Sequence, residues 1–125
     1  MAGKKLFVLL FALLTFTGSQ ASAEAWEFVD AQNTTGYYVD ADSVNFKGEN
    51  IVEANIAVVK ANTNRMFIYY MQFDRGLRTY QIGASRVIKY DTKEEIDSKD
   101  AVQQPRQYSP TSPMNEIVEY IFDNH

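Results

Sequence analysis

The chain has 125 residues, 22% of them charged, a formal net charge of −4, one histidine and no cysteine. Without cysteine there are no disulfides, no thiolate metal site, no cysteine nucleophile and no lipid attached through a cysteine. The acidic balance argues against a nucleic-acid partner, because phosphates are met by Lys and Arg.

Residues 1–23 have the three parts of a secretory signal peptide. Lys4 and Lys5 make a basic start, Leu6 to Phe16 is apolar apart from Thr15, and Ala21-Ser22-Ala23 places small residues two apart. The apolar run is too short to span a bilayer, which takes about 20 apolar residues. Cleavage after Ala23 would leave residues 24–125 as one exported domain, periplasmic or secreted, with no membrane span. It would be more acidic than the whole chain, since both leader lysines are lost.

Beyond the leader, turn signals divide the chain into short extended pieces. Ala25 to Asp30 alternates, with Trp26 and Phe28 on one face, and Asn33 to Gly36 is a turn. Tyr37 to Asp40 follows. A second turn, Lys47 to Asn50, separates Val44–Phe46 from the long run Ile51 to Lys60. Asn62-Thr63-Asn64 then joins that run to Arg65–Asp74 as a hairpin. Asp74-Arg75-Gly76 turns the chain into Leu77–Ile82, Gly83-Ala84 marks a bulge, and Arg86–Tyr90 continues the strand. Asp91 to Asp100 is polar and charged, which predicts a solvated loop; its acids lack the spacing of a calcium loop.

The clearest helix closes the chain. Ser112 suits the N-cap and Pro113 the first helical position. Met114, Ile117, Val118, Ile121 and Phe122 form one apolar stripe, with Glu116, Glu119 and Asp123 opposite. The predicted fold is α+β: an antiparallel meander of about six strands packed against a C-terminal helix.

Few residues offer chemistry. The lone histidine, His125, is the last residue, where chains are commonly poorly ordered. No serine-nucleophile motif or glycine-rich phosphate loop is present. Asp40 and Asp42 are a candidate carboxylate pair, but an Asp followed closely by Ser43 at a strand end is explained by capping a helical turn. These residues predict no catalytic site, no metal and no cofactor. The informative oddity is Arg65–Phe73, where Phe67, Tyr69, Met71 and Phe73 point one way and Met66, Ile68 and Tyr70 the other. One helix covers one face of a sheet. The second face therefore needs sheet curvature, the Trp26 segment, a second copy of the chain in a homodimer, or another partner. Met66, Ile68 and Tyr70 are the candidate contact face.

The order of features resembles the bacterial surface-adhesin protein E family. The matching features are a signal peptide, Trp26 opening the first strand, Tyr38-Val39-Asp40 with Ser43-Val44, a turn at Gly48, a long hairpin leading into Arg78-Thr79-Tyr80, and the Ser112-Pro113 helix start. The likeness spans nearly the whole exported domain. Family members often carry cysteines near the Arg-Thr-Tyr strand and after the last helix, where this chain has Asp74–Leu77 and Asn124-His125; the best-known members are lipid-anchored. The resemblance implies an antiparallel sheet on a helix and a cell-envelope location, and it carries over no adhesion residues. The expected function is a non-enzymatic envelope protein that binds a protein or another envelope component. The alternative is a periplasmic small-ligand carrier using the concave side of the sheet, with its tyrosines, as its pocket.

Overall fold

The computed structural model describes residues 24–125; the predicted signal segment lies outside the described residues. The elements run in chain order as β1 (Trp26–Gln32), β2 (Thr35–Asp40), a 3₁₀ turn (Ala41–Ser43), β3 (Asn45–Phe46) and β4 (Ile51–Lys60). They continue as β5 (Arg65–Asp74), β6 (Thr79–Lys89), β7 (Glu95–Lys99), β8 (Arg106–Gln107) and the helix α1 (Pro113–Asn124). The main sheet order is β1-β2-β4-β5-β6-β7, with β3 on β4 and β8 on β6. Every pairing is antiparallel. The fold is the α+β meander with a C-terminal helix that the strand pattern predicts.

The centre of the sheet is the β4–β5 hairpin, paired from Ile51↔Asp74 to Lys60↔Arg65 without a break. Its connection is a 3₁₀ turn ended by Asn64, whose φ of 55° lies in the left-handed region where asparagine is better tolerated than bulkier residues. Between β5 and β6 the register shifts: Tyr69 pairs with Ser85 but Met71 pairs with Ile82. The extra residue falls at Gly83-Ala84, opposite Tyr70, as the glycine predicts.

Two expectations are corrected. Leu77 is not in a strand; residues 75–78 form a turn in which Leu77 is exposed, and β6 begins at Thr79. Asp91–Asp100 is not all loop, because Glu95–Lys99 pairs with β6 as an edge strand. Its five residues are all exposed, and a charged, solvated sequence is what an unpaired strand edge requires to resist pairing with other chains.

Alternation sorts the sheet into two buried faces. On one, Val39, Val52, Ala54, Ile56, Met71 and Phe73 pack with Ile117, Val118 and Ile121 of α1. Ser112 caps the helix, accepting from the Asn115 N–H, and Pro113 follows at the first turn. Tyr108, just after β8, is also in this core, which no pattern in the surrounding polar sequence announces.

On the opposite face, Ala57, Val59, Met66, Ile68 and Ile88 form a second cluster, covered by Trp26 and Tyr38. Glu24 reaches Arg86 of β6 at 3.3 Å over this face. Of the means of cover that the two-faced strand requires, the sheet uses its own curvature and its N-terminal segment.

Candidate functional site

The candidate contact face divides. Met66 and Ile68 are each 5% exposed within the second cluster, so they belong to the interior. Tyr70 is 39% exposed and stands at the border of that cluster. The hydrophobic stripe expected at the surface is therefore reduced to one aromatic side chain with a polar surround.

That surround is set by strand register. Tyr70 lies opposite Asn55 of β4, while Gln72, two residues on and pointing the same way, lies between Glu53 of β4 and Gln81 of β6. Two clefts of about 160 Å³ meet at Tyr70 and Ala84. One runs past Asn55, Ile68 and Ser98 to Asp100; the other passes Glu53, Gln72 and Gln81 to Val102. A Cβ on Gly83 would approach Tyr70 Cδ2 to 3.3 Å, so the glycine gives the aromatic ring room to lie close to β6.

The Tyr70 phenol is pushed up to about 12, first by partial burial and then by the neighbouring Glu53 carboxylate. It is therefore a neutral donor at physiological pH. Glu53 is 4.0 Å from Lys47. Arg86 lines the first cleft with its guanidinium already engaged by Glu24.

A second, larger groove of about 300 Å³ opens on the helix-bearing face, beyond the part of the sheet that α1 covers. Phe67, Tyr69 and Val87 line it together with Asp97, Lys99 and Gln103. Burial raises the Tyr69 phenol above its ordinary value.

The other sequence candidates fall elsewhere. Asp40 is 4% exposed and caps the 3₁₀ turn. Its Oδ1 accepts from the Asp42 N–H at 3.1 Å and the Ala25 N–H at 2.9 Å. Asp42 is exposed, so the two acids share no cleft. His125 is not a loose end: its Nε2 is 3.0 Å from Glu27 Oε1, which also accepts from the Tyr120 hydroxyl at 2.9 Å. This cluster ties α1 to β1 on the face opposite Tyr70. Among the described residues, no group of three or more His, Asp or Glu side chains is placed to hold a metal ion. Among the same residues, no helix is long and apolar enough to cross a membrane.

The residues around Tyr70 were absent from the sequence-based candidates. Their signal was nevertheless present in β4, where Glu53 and Asn55 interrupt an apolar strand at alternate positions and so mark one polar end of a sheet face. Asp100 and Val102 carry no comparable signal, since only the return of the chain past β6 brings them near. No protein family, curated protein or solved structure matches the chain.

Proposed function

We propose that the protein is an exported, non-enzymatic binding domain of the cell envelope, and that it engages a protein or another envelope component through the cleft centred on Tyr70. The carrying observation is the composition and openness of that cleft: a half-exposed tyrosine among Asn, Gln, Ser and carboxylate side chains on an ordered sheet. Tyrosine supplies rigid, amphipathic contact area at low entropy cost, and small polar side chains supply adaptable hydrogen bonds. The groups suit holding a surface. The chain's single histidine is engaged by Glu27 on the other face. Export rests on the three-part leader, and the resemblance to the surface-adhesin protein E family points to the same location.

A small-ligand carrier is the second reading, favoured by the 300 Å³ groove over Phe67 and Tyr69. That volume is at the lower end of what small-molecule sites occupy.

Two measurements test the proposal. Intact mass of the protein recovered from the periplasmic or extracellular fraction should correspond to a chain starting at Glu24; a full-length species there overturns cleavage after Ala23, and protein confined to the cytoplasmic fraction overturns export. Purified protein should bind washed envelopes saturably, and Tyr70→Ala should lose that binding while the variant still melts cooperatively as a folded domain. Binding lost instead on Tyr69→Ala assigns function to the groove on the other face.

A further inference from the structure

Tyr70 offers more than contact area. Its ring packs against the backbone at Gly83 and leaves 39% of the residue open to solvent. Around it stand three planar amides, Asn55, Gln72 and Gln81, and the carboxylate of Glu53. Asn55 and Gln72 each present a donor and an acceptor in one plane, Gln81 donates one N–H to the Gln103 carbonyl at 2.9 Å and keeps its amide oxygen and second N–H, and the carboxylate presents two acceptor oxygens. Adjacent hydroxyls on a sugar ring both donate and accept, so one planar side chain can meet two of them at once. The C–H-rich face of the same sugar is apolar enough to lie on an aromatic ring, which is amphipathic in the same sense.

We infer that the Tyr70 cleft binds a saccharide, with the sugar face stacked on Tyr70 and its hydroxyls held by Asn55, Gln72, Gln81 and Glu53. This rests on the reading of the cleft as the binding site and names its ligand class.

Charge narrows the class to uncharged sugars. Glu53 and Asp100 stand in the two halves of the cleft, and the one guanidinium lining it, Arg86, is 3.3 Å from Glu24. A phosphorylated or uronic-acid ligand would meet these carboxylates, while the nearby cations among the described residues, Arg86 and Lys47, are each already placed against a glutamate. The topology disfavours a peptide added as a strand. β5 and β6 are paired with neighbours on both sides, so their backbone groups are consumed and the cleft lies on the sheet face. The cleft is also continuous past Tyr70 in both directions, which suits a chain of sugar units more than a single one.

The test is binding of the full purified protein to an array of neutral oligosaccharides built on glucose, galactose, mannose and N-acetylglucosamine, beside a peptide array. The strongest saccharide binders are then titrated by calorimetry. Tyr70→Ala should weaken binding by about tenfold or more, while Tyr70→Phe, which keeps the ring, should retain most of it. Gln72→Ala should also weaken binding, and each variant should keep the parent's circular dichroism spectrum and a cooperative melt. Saccharide binding indifferent to Tyr70→Ala, or none to any neutral oligosaccharide, overturns the inference. Peptide binding that Tyr70→Ala removes, without saccharide binding, overturns the ligand class while the cleft remains the site. Loss of neither overturns both.

Discussion

Arg86 Nη2 stands 3.3 Å from Glu24 Oε2, joining the chain just before β1 to strand β6. The two strands are four spacings apart in the sheet order, about 19 Å if the sheet were flat. The contact therefore requires the sheet to curl toward the face that bears Trp26, Tyr38, Met66 and Ile68. It marks this curvature more than it causes it, because both side chains are partly solvated.

The consequence is an asymmetry between the ion pair and the cluster beneath it. Arg86→Ala should cost under about 1 kcal/mol, as partly exposed pairs do. Ile68→Ala, which removes a buried side chain from the second cluster, should cost about 2–5 kcal/mol. Ile68→Lys should unfold the domain and not merely alter association. Urea unfolding midpoints separate these, and equal midpoints for Arg86→Ala and Ile68→Ala would mean that the face is not a core.

The helix gives a second contrast. Ile121 is fully buried, and its truncation to Ala should cost about 2–5 kcal/mol. Ser112→Ala removes the cap on the Asn115 N–H and should cost about 1 kcal/mol. Glu119 lies on the outer side with Arg75 at 4.0 Å, and Glu119→Ala should cost under about 0.5 kcal/mol. The same urea series orders the three.

The Glu27 carboxylate provides a pH dependence. His125, first, and then the Tyr120 hydroxyl hold its pKa below the ordinary carboxylate value. A depressed folded-state pKa gives stability that is present above the unfolded value and is lost as pH falls through the folded one. The stability difference between the parent and Glu27→Gln should therefore be largest near neutral pH and shrink on acidification below the ordinary carboxylate range. A difference that stays constant or grows toward low pH would contradict the assignment.

Tyr70 titrates in the opposite direction. Its phenol, raised to about 12, contributes stability fully below the ordinary value of 10.0, and that contribution fades as pH rises through about 12. Ultraviolet absorbance of the eight tyrosines should show a late ionisation near pH 12 that Tyr70→Phe diminishes. Glu53→Gln should move that ionisation to lower pH, because it removes the negative charge beside the phenol.

Much of the fold follows from local properties that a sequence carries openly. The alternation in Ile51–Lys60 and Arg65–Asp74 specifies two strands, and the Asn-rich link between them specifies a hairpin. Gly83 marks the bulge, Ser112-Pro113 starts the helix, and the spacing from Met114 to Phe122 tells which side of it is buried. Asp40 as a cap is legible too, because its side-chain oxygen meets the backbone amide of Asp42, two residues on. Each of these depends on neighbours along the chain. Tertiary structure alone decides that Met66 and Ile68 are interior while Tyr70 is not, since alternation puts all three on one face and cover comes from Trp26 and Tyr38, some thirty residues or more earlier. It also decides that Glu95–Lys99 is a strand, because a polar segment forms one only where an edge offers unpaired backbone groups. The anchoring of His125 on Glu27 and the burial of Tyr108 have the same origin. So has the cleft itself, where Asn55, Gln72, Gln81 and Asp100 meet around Tyr70. Periodicity tells a side chain which way to point; only the curl of the sheet and the return of the chain across it determine what it meets.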